Sequence, residues 1–156
     1  MRPIFVVRLR GRVNVRKDIA DTLHILRLRR TNYATIVYDT PSYLGMLQKA
    51  KDWIAWGYIK DPQHIAEVLR ARGELIGRKR LNDENVKQLG FNSIDELAKA
   101  LFEGKVTLSQ LKKRGLKPFF RLHPPRKGLK SVKKAVGAGG SLGKWEDIWQ
   151  LVKRMI

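Results

Sequence analysis

Three stretches in the first sixty residues carry the hydrophobic pattern of β-strands. Ile4–Leu9 is a nearly continuous apolar run, and Tyr33–Tyr38 is rich in β-branched and aromatic residues. Trp53–Ile59 has the same apolar and aromatic texture. The pattern therefore predicts three short strands in this part of the chain.

Helical periodicity separates these strands. Apolar residues recur at helical spacing over 19–26, and we expect Asn14 to cap that helix. Thr40 and Pro41 predict the start of a second helix, because a hydroxyl caps an orphan N–H and proline suits the first helical position. The resulting β-α-β-α-β order predicts a small layered α/β sandwich.

The second half has a different texture, with short helices that each begin at a polar cap. We predict caps at Asp61, Asn82, Ser93 and Thr107, the last two as capping boxes with Glu or Gln three residues later. An amphipathic helix over 146–155 is expected to dock on the core. The change in texture divides the chain into a predicted core at 1–60 and a helical, basic extension at 61–156.

The charge of the chain points to a polyanionic partner. Lys and Arg total 33 against 14 acidic residues, which gives a formal net charge of +19 among 156 residues. Such a charge opposes compaction by self-repulsion unless a polyanion neutralises it. Nucleic acid fits better than a membrane, because no apolar run approaches the roughly 20 residues needed to span one. The N-terminus begins directly in a strand pattern, so we expect a cytoplasmic protein without a signal peptide.

One long stretch, 104–145, contains many basic residues and no acidic residue. We expect this stretch to be partly disordered by itself, because it can neither neutralise its charge nor bury much apolar surface. Phe119, Phe120 and His123 lie among its cations. They can stack on bases or anchor the stretch to the core, and for the phenylalanines we favour anchoring.

Known catalytic and metal-binding patterns do not fit this sequence. The glycine-rich stretch 136–145 lacks the first glycine and the final hydroxyl of a P-loop, although its N–H groups could hold an RNA phosphate. The three histidines are scattered, and there is no cysteine. Asp39 lies beside a turn, where backbone hydrogen bonding explains it better than catalysis. We therefore expect no enzymatic activity, metal, cofactor or small-molecule substrate.

Several motifs in order and at specific spacing resemble one ribosomal family. They include Asn32, the turn 39–41 with Gly45 after it, the tryptophans in 53–57, and the terminal stretch 146–155. Together they are similar to the large-subunit ribosomal protein thirty family in its long archaeal and eukaryotic form, and the length is closer to the archaeal version. Tyr33 departs from the bacterial pattern, which tends to place a small polar residue there.

This resemblance implies an α+β fold, in which a β-α-β-α-β core holds a three-stranded antiparallel sheet similar to ferredoxin-like folds. It also implies a structural component of the large ribosomal subunit that binds large-subunit rRNA, with 5S rRNA and neighbouring ribosomal proteins as further partners. The mechanism expected from the charge is that Arg and Lys meet backbone phosphates and release counterions.

The basic residues expected to contact RNA fall into two groups. Those of the core are Arg8, Arg10, Arg12, Arg16, Lys17, Arg29 and Arg30. Those of the extension are Arg78, Lys79, Arg80, Arg121, Arg126, Lys127, Lys130, Lys133 and Lys134. Asn32, Thr40 and Gly45 are expected to be structural.

Two alternatives remain open from the sequence. A free RNA or DNA chaperone outside the ribosome would carry the same charge and tolerate many nucleic acids. An enzyme acting on RNA would need a cluster of carboxylates or histidines, which the sequence does not display.

Overall fold

A six-stranded mixed sheet organises the chain in the computed structural model, which describes residues 1–129 and 131–156. In chain order, the strands are β1 (Pro3–Arg8), β2 (Tyr33–Tyr38), β3 (Ile54–Tyr58), β4 (Glu74–Leu75), β5 (Lys79–Arg80), β6 (Phe120–Arg121), β7 (Ser131–Ala135) and β8 (Gly140–Lys144). Strands β4 and β5 form a separate two-stranded sheet, and the other six form the large sheet. The helices are α1 (Lys17–Ile25), α2 (Pro41–Lys49), α3 (Pro62–Arg72), α4 (Ile94–Glu103), α5 (Leu108–Lys112) and α6 (Trp149–Val152). Two short 3-10 turns lie at Asn85–Leu89 and Val136–Ala138.

Strand β1 lies inside the sheet and is buried along its whole length. Ile4 and Val6 face the apolar cluster that includes residues of α1 and α2, whereas Phe5 and Val7 face the larger cluster formed with α3 and α4. Successive side chains of a strand point to opposite faces, so a strand covered on both faces must be apolar throughout. The nearly continuous apolar run is thereby explained.

The predicted three-stranded antiparallel sheet is corrected to a larger, mixed one. The antiparallel trio β2-β1-β3 is present, but β6 pairs with β2 and β8 pairs with β3, giving the order β6-β2-β1-β3-β8-β7. The β3–β8 and β8–β7 pairs are parallel. The extension is therefore not simply helical, because it supplies three strands of the sheet. The division of the chain into 1–60 and 61–156 stays a prediction.

Most of the predicted helix caps are confirmed. Thr40 accepts a hydrogen bond from Tyr43 N, Asp61 accepts one from Gln63 N, and Thr107 forms a complete capping box. The cap at Asn14 is wrong, because α1 begins after Arg16 and Asn14 instead adopts a left-handed backbone with φ of 60°.

Of the remaining caps, Ser93 is confirmed with one change, whereas the short 3-10 helix has Glu84 rather than Asn82 at its N-cap position, without a side-chain cap bond. Asn82 accepts from the N–H groups of Glu84 and Asn85, and Ser93 accepts from Glu96 N. The reciprocal half of the predicted box at Ser93 is displaced, since the Glu96 carboxylate accepts from Asn92 N rather than from the cap residue.

Aromatic residues of the basic stretch anchor it to the sheet, as we favoured. Phe120 is fully buried in the larger core, and Phe119 stacks on Tyr33 with ring centroids 5.1 Å apart. At the C-terminus Leu151 and Met155 are buried, so the predicted docking is confirmed, although α6 is shorter than expected. The expected disorder of the isolated stretch stays a prediction.

Candidate nucleic-acid interface

Strand register gathers most of the predicted contacts at one end of the sheet. Val7 of β1 pairs with Ala34 of β2, and Arg8 pairs with Ile54 of β3, so β1 ends where β2 and β3 begin. Loops 9–16 and 26–32 both emerge there. We call this end of the sheet, with its two loops, the basic end.

The extension reaches the same end. Arg121 of β6 pairs with Tyr33 at the start of β2, and the chain from 122 onwards continues beyond it. Strand β8 runs parallel to β3, and its Gly143 pairs with Ala55, so β8 begins about two residues before the start of β3, beyond the basic end of the antiparallel trio. Loop 122–127, which follows β6, and edge strand β7, which pairs with β8, therefore extend the basic end.

Four predicted cations stand exposed at this end with no hydrogen bond or ion pair among the described residues. They are Arg12, Lys17, Arg29 and Arg30. Their guanidinium and ammonium groups keep their donors available for phosphate oxygens, because no carboxylate of the described chain forms an ion pair with them.

Arg10 and Arg16 have partners within the chain. Arg10 donates to the carbonyl of Asp52 at 3.2 Å and lies 4.9 Å from the Trp53 ring centroid. Arg16 pairs with the Asp18 carboxylate at 3.1 Å in an exposed ion pair. Exposed pairs contribute little stability, so Arg16 can exchange its partner for a phosphate at small cost.

Arg8 is the exception among the core cations, because it is only 4% exposed. Its Nε donates to the carbonyl of Arg10 at 2.8 Å, and its Nη1 donates to that of Leu28 at 2.7 Å. Burial and, to a lesser degree, the charge of Arg12 lower the pKa of its guanidinium. Arg8 thus ties the two loops together.

A groove of about 510 Å³ opens over Arg8, between α1 and the two loops. Asp21 and His24 of α1 line it together with Arg12, Arg29 and apolar neighbours. Neither Asp21 nor His24 is among the site residues predicted from the sequence. Their spacing of three along α1 was a usable signal, because residues three apart share one face of a helix.

The basic residues of the extension lie in three different settings. Arg121 binds the half-buried Glu74 carboxylate, which also accepts from Lys117 Nζ at 3.2 Å. Arg80 donates to the carbonyls of Arg70 and Ala71 at the end of α3. Arg80 is exposed, as are Arg78, Lys79, Arg126, Lys127, Lys133 and Lys134, whereas Lys130 lies outside the described residues.

The hairpin that carries Arg78 and Lys79 is separate from the large sheet. Strands β4 and β5 form a two-stranded sheet, and β4 also makes an isolated antiparallel bridge between Leu75 and Leu116. Arg78 occupies its turn with φ of 61°, and both side chains are exposed. The strand pairing of the large sheet therefore does not place Arg78 and Lys79 at the basic end.

Residues considered for chemistry have structural roles. The Asp39 carboxylate accepts from the backbone N–H of Arg2 at 2.7 Å, and His123 hydrogen-bonds to the carbonyls of Pro124 and Ile156. Asn32 adopts φ of 69°, donates to the Arg8 carbonyl and accepts from Leu122 N. Over 1–129 and 131–156, no group of three or more His, Cys, Asp or Glu side chains is placed to hold a metal ion.

Gly45 is exposed on α2, and a Cβ built there would meet nothing within 4 Å. Close packing inside the chain therefore does not explain this helical glycine. Among the described residues, no helix has the length and apolar character needed to cross a membrane.

Comparison with known proteins agrees with this geometry. The family model for ribosomal protein L30p/L7e matches residues 4–54. Proteins named large ribosomal subunit protein uL30 are similar over nearly the whole chain: that of Nanoarchaeum equitans is 54% identical, covering 97% of both chains. The one from Methanobrevibacter smithii is 50% identical over 97% of this chain and 98% of its own. The chain belongs to the family of large ribosomal subunit protein uL30.

Proposed function

We propose that the chain is a structural component of the large ribosomal subunit in the cytoplasm and that it binds large-subunit rRNA. The observation that carries this proposal is the basic end of the sheet, seen in a chain whose archaeal relatives are named as large-subunit proteins. Loops from both halves of the chain meet there, and four of its cations have no partner among the described residues.

The mechanism combines charge neutralisation with rigid positioning. Each Arg or Lys that meets a phosphate releases condensed counterions, which gives affinity that falls steeply with salt. The sheet fixes the cations relative to one another, and fixed phosphate contacts set the orientation of the protein on folded RNA. The main-chain hydrogen bonds of Arg8 hold the two loops in place without using exposed cations.

The contacts on the extension form the finer part of the proposal. Arg126, Lys127, Lys133 and Lys134 are exposed beside the basic end and would extend the same RNA surface. The hairpin cations Arg78 and Lys79 would meet a second RNA segment, or a neighbouring protein. The family resemblance supports 5S rRNA as one such neighbour.

Gradient sedimentation with crosslinking and sequencing tests the proposal. We expect the endogenous protein to co-sediment with the large subunit and to crosslink at a few fixed rRNA sites. A protein found mostly free, with crosslinks scattered over many RNAs, would instead establish the free chaperone.

A pair of variants with equal charge tests which surface binds. The basic-end variant replaces Arg12, Lys17, Arg29 and Arg30 by Gln. The control variant replaces Lys87, Lys112, Lys113 and Lys153, which are also exposed. We expect the first to lower the slope of log affinity against log salt by about 3, since each phosphate contact contributes roughly 0.7–0.9. Equal slopes for the two variants would contradict the assignment of the interface.

A further inference from the structure

The groove over Arg8 has a composition unlike the rest of the basic end. Its lining joins three arginines, Arg8, Arg12 and Arg29, with the Asp21 carboxylate and the His24 ring. Val15, Ala20 and Leu28 supply apolar surface between the polar groups. A flat phosphate-binding surface needs cations alone, so the acid and the apolar wall require a different explanation.

Arg8 lies in the groove with unused donors. A guanidinium carries five N–H groups, and the hydrogen bonds of Arg8 within the described chain involve only Nε and Nη1. The charge of Arg12 acts on Arg8. Two nearby guanidinium groups repel each other, and an anion between them would replace that repulsion with charge-assisted hydrogen bonds.

We propose that this groove receives one unpaired nucleotide of the bound RNA, with its phosphate on the arginines and an amino-bearing base against Asp21. The proposal rests on the proposed function and gives it a specific subsite. The volume of about 510 Å³ is within the range of small-ligand sites, which is roughly 300–1,000 Å³.

The two polar groups on α1 define the preferred base. An ionised carboxylate only accepts hydrogen bonds, so Asp21 favours the exocyclic amino groups of cytosine, adenine or guanine, which donate to it. Uracil offers a carboxylate only its N3–H, which lies between two carbonyl oxygens that repel the negative charge of Asp21. The exposed His24 ring offers a face on which a splayed-out base can stack. In double-helical RNA these amino groups are engaged in base pairs, and the major groove is too deep and narrow for side chains, so such a pocket suits an unpaired nucleotide from a loop or bulge.

The test uses the isolated full chain and mononucleotides as probes. Cytidine 5′-monophosphate and uridine 5′-monophosphate differ at two adjacent ring positions: cytosine carries a donating amino group at C4 and an accepting N3, whereas uracil carries a carbonyl at C4 and a donating N3–H. We expect saturable NMR shifts at Ala20 and His24 with the cytidine nucleotide and about tenfold weaker binding of the uridine nucleotide, the effect of roughly one hydrogen bond to a charged group.

Single substitutions identify the groups responsible. Arg29→Gln should lower the affinity for cytidine 5′-monophosphate about tenfold. The control Lys113→Gln removes one exposed charge away from the groove and should leave this affinity unchanged. Asp21→Asn should remove the preference for cytidine, because an amide both donates and accepts. Arg8 is left intact in this series, since its main-chain bonds make it necessary for the loops.

Three results would overturn the proposal: absence of a saturable shift, equal affinity for inorganic phosphate and the cytidine nucleotide, or an unchanged preference in Asp21→Asn. Sedimentation of the wild-type chain is measured separately. A chain that co-sediments with the large subunit but ignores both nucleotides would refute the groove and leave the ribosomal role standing. A chain that binds the cytidine nucleotide but sediments free of the large subunit would support the groove as a nucleotide site and refute the ribosomal role.

Discussion

Replacing Tyr38 by Phe removes one oxygen atom that joins the two halves of the chain. Tyr38 ends β2, and its hydroxyl lies 2.6 Å from the carbonyl of Leu101 and 3.0 Å from that of Val106. Both carbonyls belong to the segment where α4 ends. The side chain is only 3% exposed, so water cannot take the place of the hydroxyl without a rearrangement.

The contacts of Tyr38 set the expected loss in the free energy of unfolding. Phenylalanine keeps the ring packing, so no cavity term arises. The Leu101 carbonyl retains a hydrogen bond from Gly104 N at 3.3 Å, whereas the Val106 carbonyl has no other partner among the described residues. A lost hydrogen bond that leaves a buried acceptor unsatisfied costs about 1–3 kcal/mol in the free energy of unfolding.

Urea unfolding at neutral pH measures this loss. With a denaturant slope of about 1–3 kcal/mol/M, we expect the midpoint of Tyr38→Phe to fall by roughly 1 M. Tyr58→Phe is the matched control, because its partly exposed hydroxyl makes no hydrogen bond within the described chain. A shift no larger than that of the control would refute the assigned role of the hydroxyl.

The pH dependence provides an independent check of the same contact. Burial raises the pKa of Tyr38 from 10.0 to about 12. The folded state therefore holds the phenolic proton more tightly than the unfolded state, and the resulting stability is full below pH 10 and lost as the pH rises towards 12. Wild type should lose stability in that window relative to Tyr38→Phe. Parallel curves would contradict the burial of a protonated hydroxyl.

Three further substitutions test other contacts. Glu74→Gln should cost about 1 kcal/mol in urea unfolding at pH 7. Burial raises the Glu74 pKa, but hydrogen bonds and charges led by Arg121 outweigh it, so the net pKa is below 4.5, and wild type should lose this advantage as the pH falls through that pKa. Phe120→Ala should lower the unfolding free energy by about 3–5 kcal/mol in the same assay, because Phe120 is fully buried. Gly57→Ala places a Cβ 2.9 Å from that of Ile148, so its melting temperature should fall through a loss of about 1–3 kcal/mol.

Local chemistry explains which parts of the fold were predictable. The caps at Thr40, Asp61 and Thr107 depend on hydrogen bonds within three residues, so the sequence specifies them directly. Strand β8 depends instead on a partner about ninety positions away, and Gly140–Lys144 has neither the alternation nor the β-branched residues of a strand. The six-stranded sheet was therefore not predictable from local pattern.

The same distinction applies to the candidate interface. Charge counts alone identified the basic residues, but strand register was needed to show that loops 9–16 and 122–127 lie at one end of the sheet. Arg8 has the same side chain as Arg12, yet one is buried on main-chain carbonyls and the other is exposed. Composition cannot separate the two, because burial is a property of the completed fold.

The late strands β6 and β8 also bear on biosynthesis. They pair with part of each edge of the antiparallel trio, at Tyr33–Ala34 and at Ala55–Trp56, and β8 ends at Lys144, 86 residues after β3 ends at Tyr58. At elongation rates of about 5–20 residues per second, a nascent chain keeps those edges unpaired for on the order of ten seconds. Unpaired edges are templates for intermolecular β-pairing. The growing chain is therefore most vulnerable to aggregation in this interval, when it already has three strands and still lacks the two that pair with their edges.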